Sequence, residues 1–460
     1  MEKLKQPLIS GQNCMYSALF KNLILPLYEK VTGKKLLTYF NHYQSHLKLT
    51  KLELKAHQWR ELKKLLEHAF ENTTFYPELW AKAGIHSVDD IKSMADFEKL
   101  PLVTKDDISK HYQGLVATNY SNNITKATGG STGQPFRFEL NTDSNTRREA
   151  IMWRGYGWLG AGLGQKTLYL WGADIGQTTK LKALKNSLYH AFYNRKMLNS
   201  FAMNSNNMHD YVADINNYRP TALVSYVNPL YELAKYIIDK KISVFSPKTI
   251  LTGAEPLHDF QRTVIEEAFK CSVYNTFGCR EFMLMSAECK EQKNLHINID
   301  HLLVETVSDS GSKVTDESGD LVVTDLYNYG MPLIRYLNGD RATLVDSPCG
   351  CNNPLPIMKS IDGRKLDIIK TPSGKKIPGE LFPHLFKEFN SIIRFQVKQS
   401  KIDELNIMMI VNQALSINDQ QKIKDEINKY AEGELTLQLN FVDDIPLTLS
   451  GKHRVTICEI

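Results

Sequence analysis

Six short segments carry residues able to do chemistry. They occur in the order Thr128–Pro135, Leu251–Leu257, Val273–Met283, Met331–Asp340, Asp362–Asp367 and Ser450–Arg454. The first, TGGSTGQP, holds Thr128, Gly129, Gly130, Ser131, Thr132 and Gly133. Its glycines let backbone come close to a polyanion, its hydroxyls add donors, and successive amides can form an anion nest. Ile124 before it, and Phe136 and Phe138 after it, predict a loop joining two strands. No Lys-Ser or Lys-Thr follows, so it is neither a Walker-type phosphate loop nor a dinucleotide fingerprint. Alone, it reads equally well as a glycine-rich hairpin turn.

The next segments add the groups a polyanion site needs. LTGAEPL places Gly253, Ala254 and Glu255 at the end of an apolar strand, where open α/β sheets bind ligands. VYNTFGCREFM offers Phe277 as a stacking face, Gly278 for close approach and Glu281 as a magnesium ligand. The bland alternatives are core packing for Phe277 and a surface charge for Glu281. Asp340, expected in a turn after a strand, can accept both hydroxyls of a ribose. Arg364 suits the same ribose or a phosphate. Lys452 follows a glycine near the C-terminus. A mobile ammonium there could neutralise charge that builds between a carboxylate and an α-phosphate.

A second constellation is of another kind. Cys289 and His296 bracket one polar turn, and Cys349 and Cys351 stand in another, SPCGC. Three thiolates and an imidazole complete a tetrahedral structural zinc site, and Gly350 allows the compact C-x-C spacing. The alternative is two unrelated loops with free thiols. Cys14, Cys271, Cys279 and Cys458 read as single core or pocket residues.

These residues need elements to hold them. Residues 1 to about 120 read as mainly helical, with KLTKLELKAHQWRELKKLLEHAFENT at helical spacing and LPLVTKDDISKHYQG as a turn and a capped short helix. From about 125 the pattern becomes α/β. KTLYLWG, TALVSYV and PKTILTGAE read as strands, and PLYELAKYIIDKK and LHDFQRTVIEEAFK as helices. LHINIDHLLVETV, GDLVVTDL and MPLIRYL extend the sheet to about 347. After the turn-rich DSPCGCNNPLP, the last hundred residues alternate short strands and helices. The expected domains are a helical part at 1–120, a ligand-binding part at 121–363 and a small mobile α+β lid at 364–460. The chain has 460 residues, 42% hydrophobic and 23% charged, with a net charge of +5. That is an ordinary balance, and it gives no argument for nucleic acid. No apolar run is long enough to span a bilayer. Met15–Tyr28 reads as a core-facing helix, with a helix resting on a membrane surface as the alternative. An odd number of cysteines, seven, without a secretory signal points to the cytoplasm.

Taken in order, TGGSTGQP, TGAEPL, FGCRE, MPLIRYLNGD, DGRKLD and SGKHR resemble the adenylate-forming superfamily of acyl-CoA synthetases and luciferase-like enzymes. They look most like its phenylacetate–CoA ligase-like branch, which includes CapK-like proteins of capsular polysaccharide synthesis. The resemblance covers about 100 to 454. It implies a large adenylate-forming domain and a mobile C-terminal domain. It implies that Thr128, Gly130, Ser131, Thr132 and Gly133 hold the phosphates of ATP. Gly253, Ala254 and Glu255 would then border the adenine, and Phe277 and Gly278 would flank the base or the acyl group. Glu281 would hold Mg2+, Asp340 and Arg364 the ribose, and Lys452 would serve adenylation. The implied reaction joins a carboxylic acid to AMP with loss of pyrophosphate. The acyl group then passes to CoA or, alternatively, to an amine on a sugar or amino acid.

Some positions depart from the family pattern. Gly129 stands where Ser is frequent, and Phe277 where Tyr is. Arg280 replaces a Thr or Ser and could pair with a phosphate. Leu366 falls at the acidic hinge position, with Asp367 beside it. Trp153, Tyr156, Trp158, Trp171, Tyr226 and Tyr231 are candidates for an acyl pocket or for the core. A reading of another class is a non-catalytic nucleotide-binding or membrane-peripheral assembly protein, against which Glu281, Asp340 and Lys452 count. The oligomeric state is left open, a homodimer among the options.

Overall fold

The computed structural model describes residues 11–128, 136–172, 180–292, 294–364, 369–377, 379, 381–386, 389, 391–445 and 455–460. Within these, the side chains of 11–14, 128, 180–183, 363–364, 376 and 383–384 lie outside the description. The chain forms two compact units. The larger holds most of the chain up to Asp362. The smaller holds Gly363–Ile460, and Gly339–Arg341 group with it.

The larger unit opens with helices, as the periodicity predicts. Lys51–Asn72 begins with a capping box, in which Thr50 Oγ1 accepts from Glu53 N and the Glu53 carboxylate accepts from Thr50 N. The first helix runs Gly11–Leu19, passes through a π-helical turn at Phe20–Ile24 and continues as Leu25–Thr32. Phe20 and Leu25 are buried, whereas Met15, Leu19, Leu23, Leu27 and Val31 are exposed. The expected core-facing helix is therefore core-facing on one side only.

Thirteen strands of this unit are numbered in chain order. They are β1 (Ile124–Thr128), β2 (Phe136–Leu140), β3 (Thr167–Trp171), β4 (Arg195–Asn199), β5 (Ala222–Tyr226), β6 (Thr249–Gly253), β7 (Val273–Phe277), β8 (Ser286–Glu288), β9 (Leu295–Ile297), β10 (Leu302–Val307), β11 (Ser318–Asp325), β12 (Tyr336–Val345) and β13 (Ile357–Arg364). β1 and β2 form an antiparallel pair, so the glycine-rich segment does join two strands. The other eleven make one sheet, in the order β10-β11-β12-β13-β9-β8-β7-β6-β5-β3-β4. β4, β3, β5, β6 and β7 run parallel, and the sheet turns antiparallel from β7 to β8. β6 is buried along its whole length, and β3 and β5 over all but their last residues. Continuous apolar runs are what a parallel sheet covered on both faces requires. MPLIRYL departs from expectation: of it, only Tyr336 and Leu337 enter a strand. Arg335, buried just before β12, donates from its side chain to the Glu305 carboxylate and to the carbonyls of Glu98 and Leu100.

The smaller unit has a four-stranded sheet built from Ile392–Lys401, Glu404–Val411, Thr436–Phe441 and Thr456–Cys458. A helix at Ile417–Ala431, capped by Ser416, places Ile423 and Ile427 in a core with Val397, Leu405, Ile407 and Met409. The fold is α/β with a C-terminal α+β unit, as the strand and helix pattern predicts. Among the described residues, no helix is long and apolar enough to cross a membrane.

Candidate active site

The parallel strands deliver Trp171, Tyr226, Gly253 and Phe277 to their carboxyl ends. Ligands of open α/β sheets bind there. The registers Thr167↔Ala222, Ala222↔Thr249 and Ile250↔Val273 keep these ends nearly level. The Trp171 and Tyr226 rings lie 4.1 Å apart, and Phe201 stacks on Tyr226 at 6.1 Å. A Cβ on Gly253 would meet Thr276 Oγ1 at 2.8 Å, so the strand end approaches its neighbour more closely than a side chain allows. Ala254 follows with φ +65°, a left-handed conformation rare outside glycine. That twist turns Glu255 back. Its carboxylate accepts from Asn228 N at 2.7 Å and Asn228 Nδ2 at 3.1 Å, at the start of the Val227–Asp239 helix. A carboxylate at a helix N-terminus is favoured by the exposed amides and the macrodipole.

The β7–β8 connection carries Glu281. The connection is tight: Met285 N donates to Phe277 O at 2.9 Å and Met283 N to Cys279 O at 2.7 Å. Gly278 is obligatory there, since a Cβ would fall 1.7 Å from Met283 O. Glu281 is only 4% exposed. Its Oε1 lies 3.7 Å from Lys105 Nζ and accepts from the Tyr336 hydroxyl at 3.3 Å. Lys105 opens the helix Lys105–Lys110, which Thr104 and Asp107 cap reciprocally, and its ammonium stands 5.6 Å over the Phe136 ring. Phe136 in turn stacks on Tyr336.

Positive charge surrounds this carboxylate. Arg148 is buried on the Thr142–Trp158 helix and donates to the carbonyl of Arg280. Burial lowers its pKa, and nearby acids including Asp325 and Glu281 hold its charge in place. Burial also lowers Lys126 on β1, and Arg148 and Arg280 then add repulsion. Such a cluster favours an incoming anion.

The other expected residues divide between placed and undescribed. Thr128 ends β1, while Gly130, Ser131, Thr132 and Gly133 lie outside the described residues, as does Lys452. Asp340, expected in a turn, is a buried residue of β12, one after Gly339 at φ +87°. Arg364 is the last residue of β13, so the first half of DGRKLD is strand. Asp362 is tied into it by Ser360 Oγ at 2.6 Å and Thr343 Oγ1 at 3.1 Å. Trp153 and Tyr156 are core residues, and Tyr231 packs against the core and Phe260. Sequence reasoning missed Lys105, Tyr336 and Arg148. The first was legible only as part of a helix cap. The other two lie far along the chain from Glu281, and only the sheet order reveals them.

The cysteine cluster is assembled by β-pairing. Glu288↔Leu295 closes the β8–β9 hairpin and brings Cys289 back towards His296. His296↔Ile357 then sets β13 beside β9, which lays the Cys349–Cys351 turn over the same end. The four ligand atoms lie within 4.8 Å of one another. Cys289 Sγ is 3.6 Å from Cys349 Sγ, and Cys351 Sγ is 3.2 Å from His296 Nε2. His296 Nδ1 stands 2.9 Å from Leu355 O, which fixes the N–H on Nδ1 and leaves Nε2 bare. Burial pushes the Cys289 thiol up to about 12 and lowers His296. Three thiols and one imidazole gathered this closely are a donor set that fits zinc.

Comparison with known proteins agrees with this architecture. Residues 369–459 match the CapK C-terminal domain. Protein CapK of Staphylococcus aureus is 27% identical, over 96% of this chain and 97% of that one. Phenylacetate-coenzyme A ligase of Thermus thermophilus is 24% identical, over 84% and 88%. Along most of its length the chain is thus similar to CapK and to phenylacetate-coenzyme A ligases. A solved 2-hydroxyisobutyryl-CoA ligase, in its postadenylation state with R3-HIB-AMP, shares the fold with a TM-score of 0.67 at 19% identity, covering 88% of this chain and 89% of that one. The Gly253–Glu255 turn, the Glu281 connection and the aromatic ends of β3 and β5 occupy one end of one sheet.

Proposed function

We propose that this protein uses ATP and Mg2+ to convert a carboxylic acid to an acyl-adenylate, then transfers the acyl group to CoA. The single observation that carries this reading is Glu281, a buried carboxylate at the sheet's carboxyl end, beside Lys105 and Arg148. In-line displacement at the α-phosphorus is mainly a matter of positioning and charge neutralisation. Glu281 takes the role of magnesium ligand. Thr128 and Gly130–Gly133 cradle the phosphates, and Gly253, Ala254 and Glu255 border the adenine. Phe277, Gly278 and Arg280 line the nucleotide side, Asp340 and Arg364 hold the ribose, and Lys452 serves adenylation. Trp171 and Tyr226 are well placed for the acyl group. The names of the relatives favour CoA as acceptor over an amine. Cys289, His296, Cys349 and Cys351 hold a structural zinc ion.

A panel of carboxylates, assayed for pyrophosphate release from ATP with and without CoA or amines, tests the reading. One acid should give CoA-dependent turnover, and absence of release across a broad panel would overturn it. The exposed Met15, Leu19, Leu23, Leu27 and Val31, with Lys21, Lys30, Lys34 and Lys35 nearby in sequence, favour peripheral contact with anionic lipid by a cytoplasmic enzyme. Flotation with anionic but not neutral liposomes is the expected result, and no flotation with either removes the membrane role.

A further inference from the structure

A second cluster of metal-ligating side chains lies apart from the cysteines and from Glu281. We propose that His42, His46 and His57 form a site for a divalent transition ion of the zinc, nickel or copper type. His42 and His46 are one turn apart on the helix Leu36–His46 and so share a face. His57 comes from the next helix, Lys51–Asn72. The His42 and His46 ring centroids are 4.3 Å apart, and those of His46 and His57 4.6 Å. One ring nitrogen of each lies within 4.8 Å of the others.

The hydrogen bonds decide which nitrogens are available. His46 Nδ1 is 3.0 Å from Asp300 Oδ2. Asp300 also accepts from Arg154 at 2.6 and 2.8 Å, so it is an anion and His46 carries its proton on Nδ1. His46 Nε2 is left bare. His57 Nδ1 is 2.7 Å from Arg60 Nη2, and a guanidinium can only donate, so this nitrogen is also bare. The His57 N–H then points from Nε2 to the Tyr327 oxygen at 3.1 Å. Both buried rings thus turn their N–H groups to fixed inner acceptors. A carboxylate–histidine pair such as Asp300–His46 is the usual support of a metal-bound imidazole. His42 is exposed and gives the ion a route in from water.

An ion about 2.1 Å from each nitrogen needs nitrogens about 3.4 Å apart. The remaining closure falls to His42, the exposed member of the three. Arg60 holds the place of the ion in its absence. Its side chain is 60% exposed and is paired with Glu61, so it can withdraw to water. The ion would clamp the two helices to Asp300, away from the adenylation residues.

Calorimetric titration of the full chain with Ni2+ tests this, since imidazole nitrogen suits nickel. One Ni2+ per chain is expected, with a rise in melting temperature. His42→Ala, at an exposed position, should weaken binding by roughly tenfold or more and abolish the rise. Arg60→Ala should tighten binding by removing a competing cation. Parental affinity in His42→Ala overturns the proposal. So does a parent protein and an Arg60→Ala variant that both fail to bind.

Discussion

Replacing Gly278 by alanine is the sharpest test of how Glu281 is positioned. A Cβ at 278 would lie 1.7 Å from Met283 O, 2.8 Å from Met283 C and 3.1 Å from Leu284 Cα. All three are backbone atoms, so no side-chain rotation relieves the clash. Restoring even a 3.0 Å contact moves the Met283 carbonyl by about 1.3 Å. That carbonyl closes the connection that carries Glu281, whose carboxylate is held 3.7 Å from Lys105 Nζ and 3.3 Å from Tyr336 Oη. Misplacing a reacting group by an ångström costs on the order of a hundredfold in rate. Overpacking of this kind also costs about 1–3 kcal/mol of stability. The assay is ATP–pyrophosphate exchange with an acid from the panel, run well below the melting temperature and scaled to the folded fraction. Gly278→Ala should remain folded, melt earlier and exchange about a hundredfold more slowly. Exchange within about twofold of the parent would refute the reasoning, because Glu281 would then tolerate displacement or take no part.

The other predictions rest on different residues. Glu281→Gln keeps the volume and removes the charge, so magnesium-dependent exchange should vanish with the fold intact; exchange at the parental rate rules out the metal role. Protein prepared without chelators should hold about one zinc ion per chain in the cysteine cluster, and Cys351→Ser should lose it and melt earlier; metal-free parent protein by elemental analysis would end that idea. Burial, with Arg147 next, lowers buried His301 to about 3, so the unfolded chain takes up this proton near pH 6.5 and the folded one does not. Stability should therefore fall as pH drops from 7 to 5, by about 2 kcal/mol more in the parent than in His301→Gln, and equal slopes in urea unfolding would contradict this. Lys452→Ala should slow adenylation by roughly a hundredfold and spare transfer from synthetic acyl-AMP; equal damage to both halves would make Lys452 structural.

What could be read from sequence followed from local rules. β3, β5 and β6 are buried apolar runs bounded by turns, and the Thr104 cap announces its helix, so these elements were legible. Asp340 was misplaced because NGD reads as a turn. The backbone absorbs Gly339 at φ +87° within a strand that its neighbours hold. Glu255 looked like a ligand-facing acid, yet its carboxylate meets the amide of Asn228, a contact that depends on which helix follows β5. Lys105 and Tyr336 flank Glu281 from sequence distances that no local pattern spans. The His42–His46–His57 cluster escaped because i, i+4 histidines on a helix are common. Only Asp300 and Arg60 give their nitrogens distinct roles.

The charges around Glu281 differ in how freely they can leave. A carboxylate this buried is costly unless it is paired. Arg148 cannot leave: it is buried in the Thr142–Trp158 helix and bonded to the Arg280 carbonyl. Lys105 can. Its side chain is 40% exposed, its ion pair is long at 3.7 Å, and it rests on an aromatic face. On the proposed reading, a divalent ion at Glu281 takes over the neutralisation that Lys105 supplies. The released ammonium stays tethered at the start of a capped helix, within reach of the same region. One metal-binding event would thus exchange a single charge for a double one and set free a cation for phosphate oxygens. Lys105→Met should accordingly leave Glu281 without its mobile partner, strengthen the pull on Mg2+ and lower the turnover that follows. Separate measurement of the magnesium requirement and of kcat would distinguish this from simple loss of an ion pair. If both parameters worsened together, Lys105 would be acting only as a fixed support for Glu281.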